Sequence, residues 1–325
     1  MLDTLGLLIL YGCVAACLVE ALLRIWRVRD PGERLALRGL SLVAPLLLPG
    51  VFYVLAPARS ADAFGSTRAL FAGDHWNQLA VGGVGVASLA TVALAVAGAL
   101  LYLRDAVPFL GDTVGGLADH DAIETHPALG PLRQLLDQLT PLVLAPPMAL
   151  VLLDRAWPVL LCSGVDRPTL VISTGTLDRL DHDQLRAALT HELAHAARRD
   201  PLTSWLLMVV RTLAWFSPAT QVVARQIVQE LEYRADVAVA GVGDSLALGR
   251  TIAALADAPD TQSDLAAPRT PGALWRRMMA RAERAAIGDR CEGVLTQPVP
   301  MRSGLGPLRV GLAGLGLALL LFFVV

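Results

Sequence analysis

The sequence has few charged residues, few aromatic residues and no lysine. Of its 325 residues, 17% are charged and 5% are aromatic, and all 27 basic residues are arginine. Hydrophobic residues make up 54% of the chain, and its mean hydropathy is +0.54. This composition excludes a disordered protein and is unlike that of an ordinary soluble enzyme. A net charge of −2 argues against a nucleic-acid partner. The composition predicts a membrane protein, and its arginine-only, alanine-rich bias is typical of a GC-rich bacterium.

Cysteine is also scarce. Cys13 and Cys17 lie one helical turn apart in an apolar run, whereas Cys162 and Cys291 are isolated in the sequence. No pair has the Cys-x-x-Cys spacing of a zinc knuckle, and four scattered cysteines do not form a disulfide framework. A secreted disulfide-rich scaffold is therefore excluded, and the spacing argues against a thiolate metal site.

Long apolar stretches predict three N-terminal transmembrane helices and one at the C-terminal end. Their predicted bounds are about 5–23, 39–58, 76–103 and 304–325. A helix needs roughly 20 apolar residues to cross a hydrocarbon layer of about 30 Å. The first three stretches meet that length, and the fourth meets it when the residues before Val310 are included.

Arginine counts predict the orientation of these spans. The first loop region contains Arg24, Arg27, Arg29, Arg34 and Arg38, and the second contains Arg59 and Arg68. Because basic residues are enriched in cytoplasmic loops, we expect the first loop to be cytoplasmic. The chain between the third and fourth spans is then cytoplasmic too, at the bacterial inner membrane.

A metal-binding motif lies in this cytoplasmic region. Residues 181–198 have the apolar periodicity of a helix, with Asp181 as its cap, and residues 191–195 form an H-E-x-x-H sequence. Two histidines four residues apart share one face of a helix and can bind one zinc ion. Glu192 is placed to act as the general base in hydrolysis. The sequence predicts a catalytic Zn²⁺ site at His191 and His195.

A catalytic zinc needs a third protein ligand, and the acidic stretch 230–236 offers candidates. Glu230 and Glu232 differ by roughly 200° around a helix, so one of them at most can face the ion. We predict Glu232 as the ligand, because Asp236 lies one turn further on the same face. Asp236 is predicted to support a ligand imidazole through a hydrogen bond.

The stretch around these motifs resembles a known peptidase family. Residues 167–173, 183–189, 191–200, 216–218 and 232–236 together resemble the integral-membrane gluzincin zinc metallopeptidases. The β-lactam-sensor antirepressor peptidase family is the nearest in layout, followed by the membrane heat-shock and prenyl-protein protease family. The resemblance implies zinc ligation by His191, His195 and Glu232, catalysis by Glu192 and support from Asp236.

The β-rich apolar runs 149–153 and 169–173 predict a small sheet. Together these observations predict a mainly α membrane protein with an α+β zincin-like cytoplasmic domain. The predicted regions are three spans in 1–104, a linker and helix in 105–148, a peptidase domain in 149–256, a connector with a basic helix in 257–303, and a last span in 304–325. The expected function is membrane-bound zinc endopeptidase activity on membrane or membrane-proximal proteins. The expected partners are membrane lipid and a protein or peptide substrate, with a transcriptional repressor as one such substrate.

Two alternatives to a regulatory protease stay open. One is a general membrane quality-control protease, and the other is a receptor or scaffold whose zinc domain is inactive. The apolar stretch 202–217 is not expected to cross the membrane, because ligands before and after it must reach one ion. We expect that stretch at the membrane interface, or against the third or fourth span.

Overall fold

A computed structural model describes residues 2–60, 80, 81, 83–111, 123, 125–164, 168–256 and 304–324. The predicted connector and basic helix of 257–303, residues 76–79 of the predicted third span, and most of 105–124 beyond residue 111 lie outside the described residues. The chain divides into two compact units. Unit 1 contains Met1–Leu103, Leu207–Glu230 and Met301–Val325, and unit 2 contains Arg104–Leu206 and Leu231–Pro300.

Unit 1 contains the three apolar N-terminal helices. They are α1 (Leu2–Ile25), α2 (Pro31–Leu55) and α3 (Val86–Gly111), with a 3-10 turn at Pro57–Ser60 and the short antiparallel strands β1 (Ala80–Val81) and β2 (Val84–Gly85). Among the described residues, Thr4–Ile25, Pro31–Leu55 and Val86–Arg104 are long and apolar enough to cross a membrane. The structure is therefore mostly helical at this end, as predicted.

The bounds of two of these helices differ from the prediction. The second helix begins at Pro31, eight residues before the predicted start at about residue 39, because the Asp30 side chain accepts a hydrogen bond from the Glu33 N–H at 2.9 Å and caps it. Arg34 and Arg38 thus lie in a helix rather than in a loop. The third helix begins at Val86, after the β1–β2 turn, and not at residue 76.

A C-terminal helix, α10 (Gly306–Phe322), packs along α2 in the same direction. At its start the Arg309 guanidinium lies 3.1 Å from the Glu33 carboxylate. Near its end the ring of Phe322 packs edge-on against Phe52 at 5.4 Å, and the Tyr11 hydroxyl donates to the Val324 carbonyl at 2.8 Å. Since 17 residues rise about 26 Å, α10 matches most of the length of α2.

A buried ionic cluster joins helices of unit 1. Arg38, which is 6% exposed, donates through Nε to Glu20 at 2.9 Å and through Nη1 to Glu230. Arg34 donates to the same oxygen of Glu230 at 2.7 Å. The buried Arg38 and Glu230 therefore compensate each other, and the partly exposed Arg34 and Glu20 each pair with one of them.

Unit 2 is built on a three-stranded sheet in the order β3-β5-β4. Its strands are β3 (Ala149–Leu153), β4 (Leu160–Ser163) and β5 (Thr169–Ser173). β5 is the central strand, parallel to β3 with Ala149 opposite Thr169 and antiparallel to β4 with Leu160 opposite Ile172. The two apolar runs that predicted strands at 149–153 and 169–173 form β3 and β5.

Helix α4 (Leu129–Val143) belongs to the core of this unit. Its buried leucines pack with Leu152, Leu170 and Ile172 of the sheet and with Leu189 and Leu193 of the motif helix; they are Leu129, Leu132, Leu135, Leu136 and Leu139. This spacing of three and four residues forms one apolar stripe. The helix expected within 105–148 is therefore present, but it is a part of the core rather than of a connecting segment.

The other helices among the described residues include those that carry the candidate site. They are the short α5 (Thr174–Leu177), then α6 (His182–Ala197), α7 (Asp200–Leu213), α8 (Pro218–Gly241) and α9 (Ser245–Ala256). Asp181 and Gln184 form a capping box at the start of α6, as the sequence predicts. The turn between β5 and α5 needs a glycine, because a Cβ on Gly175 would lie 2.1 Å from the Ala156 carbonyl oxygen.

Candidate metal centre

Helix α6 places the two motif histidines together. His191 and His195 are one turn apart, and their Nε2 atoms lie 3.2 Å from each other. His191 is buried, and the His195 side chain is 12% exposed. Two ring nitrogens that face each other at this distance repel when both carry lone pairs, and a cation between them removes the repulsion. The pair therefore has the chemistry of two metal ligands.

Glu232 on α8 completes a triangle with the histidines. Its carboxylate oxygens lie 3.5 Å from His191 Nε2 and 3.6 Å from His195 Nε2. Ligands in tetrahedral geometry with bonds of about 2.0–2.1 Å are separated by about 3.4 Å. The separations of 3.2, 3.5 and 3.6 Å therefore fit one zinc-sized ion. In the described part of the chain, His191, His195 and Glu232 are the group of three that could hold a metal.

A second carboxylate lies behind each imidazole. The Asp236 Oδ1 atom is 3.0 Å from His191 Nδ1, and the Asp200 Oδ2 atom is 2.9 Å from His195 Nδ1. Both aspartates are almost fully buried. A carboxylate at Nδ1 holds the proton on that nitrogen, which leaves the Nε2 lone pair directed at the ion. At His195 this hydrogen bond favours the tautomer that metal binding requires, and at His191 the Asp236 carboxylate lies at the corresponding nitrogen.

The charges around His191 also affect its protonation. Burial lowers the pKa of His191, but hydrogen bonds to Asp236 and Glu232 and the negative charge of Glu192 outweigh this effect and raise the pKa to about 10. A positive charge is thus strongly favoured at this position. A divalent cation supplies such a charge, and it displaces the proton when it binds.

Glu192 lies beside His191, His195 and Glu232, and β4, an edge strand of the sheet, holds its carboxylate. Burial raises the pKa of Glu192, while the neighbouring charges of His191 and His195 lower it. The backbone N–H of Cys162, in β4, donates a hydrogen bond to the Glu192 carboxylate and also lowers this pKa. The carboxylate therefore has a fixed orientation and an affinity for a proton above that of an exposed glutamate, which suits a general base.

Comparison with known proteins finds a peptidase family whose model matches the segment that carries this arrangement. Residues 157–252 match the peptidase family described as BlaR1 peptidase M56. This match confirms the resemblance to the β-lactam-sensor peptidases. The matched range contains all five residues of the candidate site that the sequence analysis named, together with Asp200. Because this is a family of metallopeptidases, the match agrees with a metal held by the histidines and the carboxylate.

A curated relative shows the extent of the likeness. The Regulatory protein BlaR1 of Bacillus licheniformis is 29% identical over 76 residues, which cover 23% of this chain. The same alignment covers 12% of that protein, so the matched part spans about one eighth of its length. The likeness to the M56 family is thus concentrated on the peptidase segment.

The structure separates the two glutamates between which the sequence analysis chose. Glu230 is 5% exposed and forms ion pairs with Arg34 and Arg38 in unit 1, whereas Glu232 is beside the histidines in unit 2. Asp236 lies 3.0 Å from His191 Nδ1, and its role as a supporting carboxylate stays a prediction. Asp200 was missed as a supporting residue, although it lies in the stretch 191–200 that carries the resemblance. Its position five residues after His195 was the available signal.

Proposed function

We propose that this chain is a membrane-bound zinc endopeptidase that hydrolyses peptide bonds of membrane or membrane-proximal proteins. The observation that carries the proposal is the convergence of His191, His195 and Glu232 within ligand distance, with Glu192 beside them. The M56 match over 157–252 supports it independently. His191, His195 and Glu232 would hold the zinc ion.

The roles of the residues follow from their contacts. When bound, zinc supplies Lewis-acid chemistry, acidifying water and polarising the scissile carbonyl. Glu192 accepts the proton of the attacking water at its carboxylate and delivers it to the nitrogen of the leaving amine. The Cys162 N–H keeps that carboxylate in place. Asp200 and Asp236 hold the imidazole rings in the orientation that ligation needs.

The proposed location is the bacterial cytoplasmic membrane, with the peptidase site on the cytoplasmic side. Within the described ranges, three helices have the length and hydropathy to span a membrane. Helix α10 runs parallel to α2 and meets it at both ends, through Arg309 with Glu33 and through Phe322 with Phe52. If α2 crosses from inside to outside, α10 crosses in the same direction, and the chain between α3 and α10 is then cytoplasmic.

The decisive experiment uses Glu192→Gln in the purified full-length protein. We expect zinc content at the wild-type level and loss of nearly all cleavage of casein or a quenched peptide library, because the glutamate is a base and not a ligand. Glu232→Gln should lose zinc as well as activity, whereas Glu230→Gln, two residues away, should keep its zinc. A wild-type protein that binds zinc and cleaves nothing would favour the inactive receptor or scaffold.

We propose a regulatory role, because the curated relative is described as a regulatory protein. A regulatory protease has few substrates, such as a transcriptional repressor, whereas a quality-control protease has many. Comparing the membrane and soluble proteomes of wild-type and Glu192→Gln strains separates the two. One or two accumulating proteins support regulation, and a broad accumulation of membrane proteins supports quality control.

A further inference from the structure

The turn between α7 and α8, residues 213–217, contacts the middle of the first apolar helix. A Cβ on Gly12 would lie 3.0 Å from the Ser217 hydroxyl oxygen and 3.8 Å from the Ala219 side chain. Gly12 is about 12 Å from the Thr4 end of the apolar stretch and about 20 Å from its Ile25 end, at 1.5 Å per residue. A group that touches Gly12 therefore lies at the depth of the hydrocarbon layer when α1 spans it.

The same turn packs directly on the third apolar helix. A Cβ on Gly98 would lie 2.3 Å from the Phe216 carbonyl oxygen and 2.8 Å from the Ser217 nitrogen, so only glycine allows this approach. The hydroxyls of Tyr102 and Thr212 share a hydrogen bond of 3.1 Å. Gly98 is about 9 Å from Arg104 along the helix. The turn is therefore wedged between α1 and α3.

Three polar side chains beside the turn, those of Arg211, Ser217 and Gln221, are paired within the protein. Arg211, which is 9% exposed, donates through Nε to the Gln221 side-chain oxygen at 3.0 Å. The fully buried Gln221 amide donates in turn to the backbone carbonyl of Ala214 at 3.3 Å. The Ser217 hydroxyl accepts from the Thr220 N–H and begins α8. Irregular backbone is tolerated at membrane depth when its polar groups are paired in this way.

The outer surface of the turn and of its two helices is apolar. Leu213 is 65% exposed, Trp215 is 46%, Val209 is 38% and Val222 is 47%. The opposite side of the same segment packs on α2 through Leu42. Helix α3, which contacts the turn at Gly98, also has exposed apolar residues, among them Leu94 and Leu100. Only acyl chains suit a surface that adjoins the lipid-facing side of a span.

We propose that residues 207–230 form a re-entrant hairpin that enters the hydrocarbon layer and leaves on the same side, with Leu213 and Trp215 in contact with lipid acyl chains. The proposal rests on the proposed membrane location of α1 and α3, and not on peptidase activity. Of the positions expected for this stretch, the interface or against the third or fourth span, it favours packing on the third, because the turn contacts Gly98 of α3 and also Gly12 of α1. The hairpin thereby adds a lipid-contacting element to the chain between two zinc-ligand segments.

The test uses spin labels on the full-length protein in phosphatidylethanolamine and phosphatidylglycerol vesicles. The four native cysteines are replaced by alanine, and a single cysteine is introduced as Leu213→Cys, or as Val222→Cys should the first variant fail to fold. Leu94→Cys in α3 is the lipid control, and the 57% exposed Leu246→Cys in α9 is the aqueous control. The collision rates of each label with oxygen and with a water-soluble nickel chelate are measured.

We expect the labels at 213 and 222 to match the label at 94, with frequent oxygen collisions and nickel collisions at least fivefold fewer than at 246. Nickel collisions at 213 and 222 equal to those at 246 would overturn the hairpin while leaving the spans intact. Nickel access at 94 as well would show that α3 is not in lipid, and it would overturn the membrane location and the hairpin together. Zinc content, measured in parallel, reports on the proposed function separately.

Discussion

Replacing Asp200 tests whether this residue supports the metal centre. Its Oδ2 atom lies 2.9 Å from His195 Nδ1, and its side chain is 4% exposed. The Asp200→Asn variant would keep an oxygen that accepts the Nδ1 proton but would lose the negative charge, whereas the Asp200→Ala variant would lose both. Carboxylates that orient ligand histidines are worth about 10- to 100-fold in metal affinity, or about 1.4–2.7 kcal/mol. We therefore expect a zinc Kd about tenfold weaker in Asp200→Asn and about 100-fold weaker in Asp200→Ala.

The affinities are measured by competition with a chromophoric chelator, using the full-length protein in detergent micelles. Asp183→Asn is the matched control. Asp183 is exposed in the first turn of α6, the helix of the two histidines, and it lies more than one turn before either of them. Circular dichroism confirms that each variant keeps its helices. If both Asp200 variants bind zinc within twofold of the Asp183 variant, the carboxylate does not support the ligand, and the reasoning from the His195 contact is refuted.

Two further predictions concern groups away from the ligands. Burial, followed by the charges of Glu192 and Asp200, raises the pKa of Cys162 to about 12. Its thiol should therefore react with iodoacetamide at pH 7.5 at least tenfold slower in the folded protein than in the urea-unfolded protein. Mass spectrometry measures both rates, and equal rates would contradict this environment. Arg38→Ala should lower the free energy of unfolding by about 3–5 kcal/mol, because it leaves the buried Glu230 with less compensation and removes the partner of the partly exposed Glu20. Arg34→Ala should cost less, since the Arg34 side chain is 36% exposed; chemical unfolding in micelles measures both losses, and equal losses would refute the argument.

The arrangement of the candidate site was predictable where it depends on the regular geometry of one helix. The four-residue spacing of His191 and His195 fixes a shared face, and the two-residue spacing of Glu230 and Glu232 puts them on different faces. Asp200 is different, because it reaches His195 through an irregular turn. Arg199 has a φ of +55° there, a left-handed conformation that a non-glycine residue seldom adopts. No helical periodicity predicts such a reversal.

The fold was predictable to a similar extent. Runs of apolar residues predicted the strands at 149–153 and 169–173, but not their pairing as neighbours in the order β3-β5-β4, which depends on the crossover between them. The glycine, proline and aspartate residues of 105–148, before β3, predict a linker with a helix, because these residues favour turns and loops. The leucine stripe of α4 is nevertheless buried, because the sheet and α6 leave an apolar surface that α4 covers.

The orientation of the spans stays a prediction, and the contacts of the arginines change its basis. Arg34 and Arg38 lie within α2 and are compensated by Glu20 and Glu230, so they are weaker indicators of a cytoplasmic loop than free basic residues are. Arg24, Arg27 and Arg29 remain near the end of α1. Arg309 meets Glu33 at this same end of α2, so the start of α10 adds a basic residue there. The arginine excess at this end of the helices therefore remains, now formed by Arg24, Arg27, Arg29 and Arg309. It favours the same orientation, with this end on the cytoplasmic side.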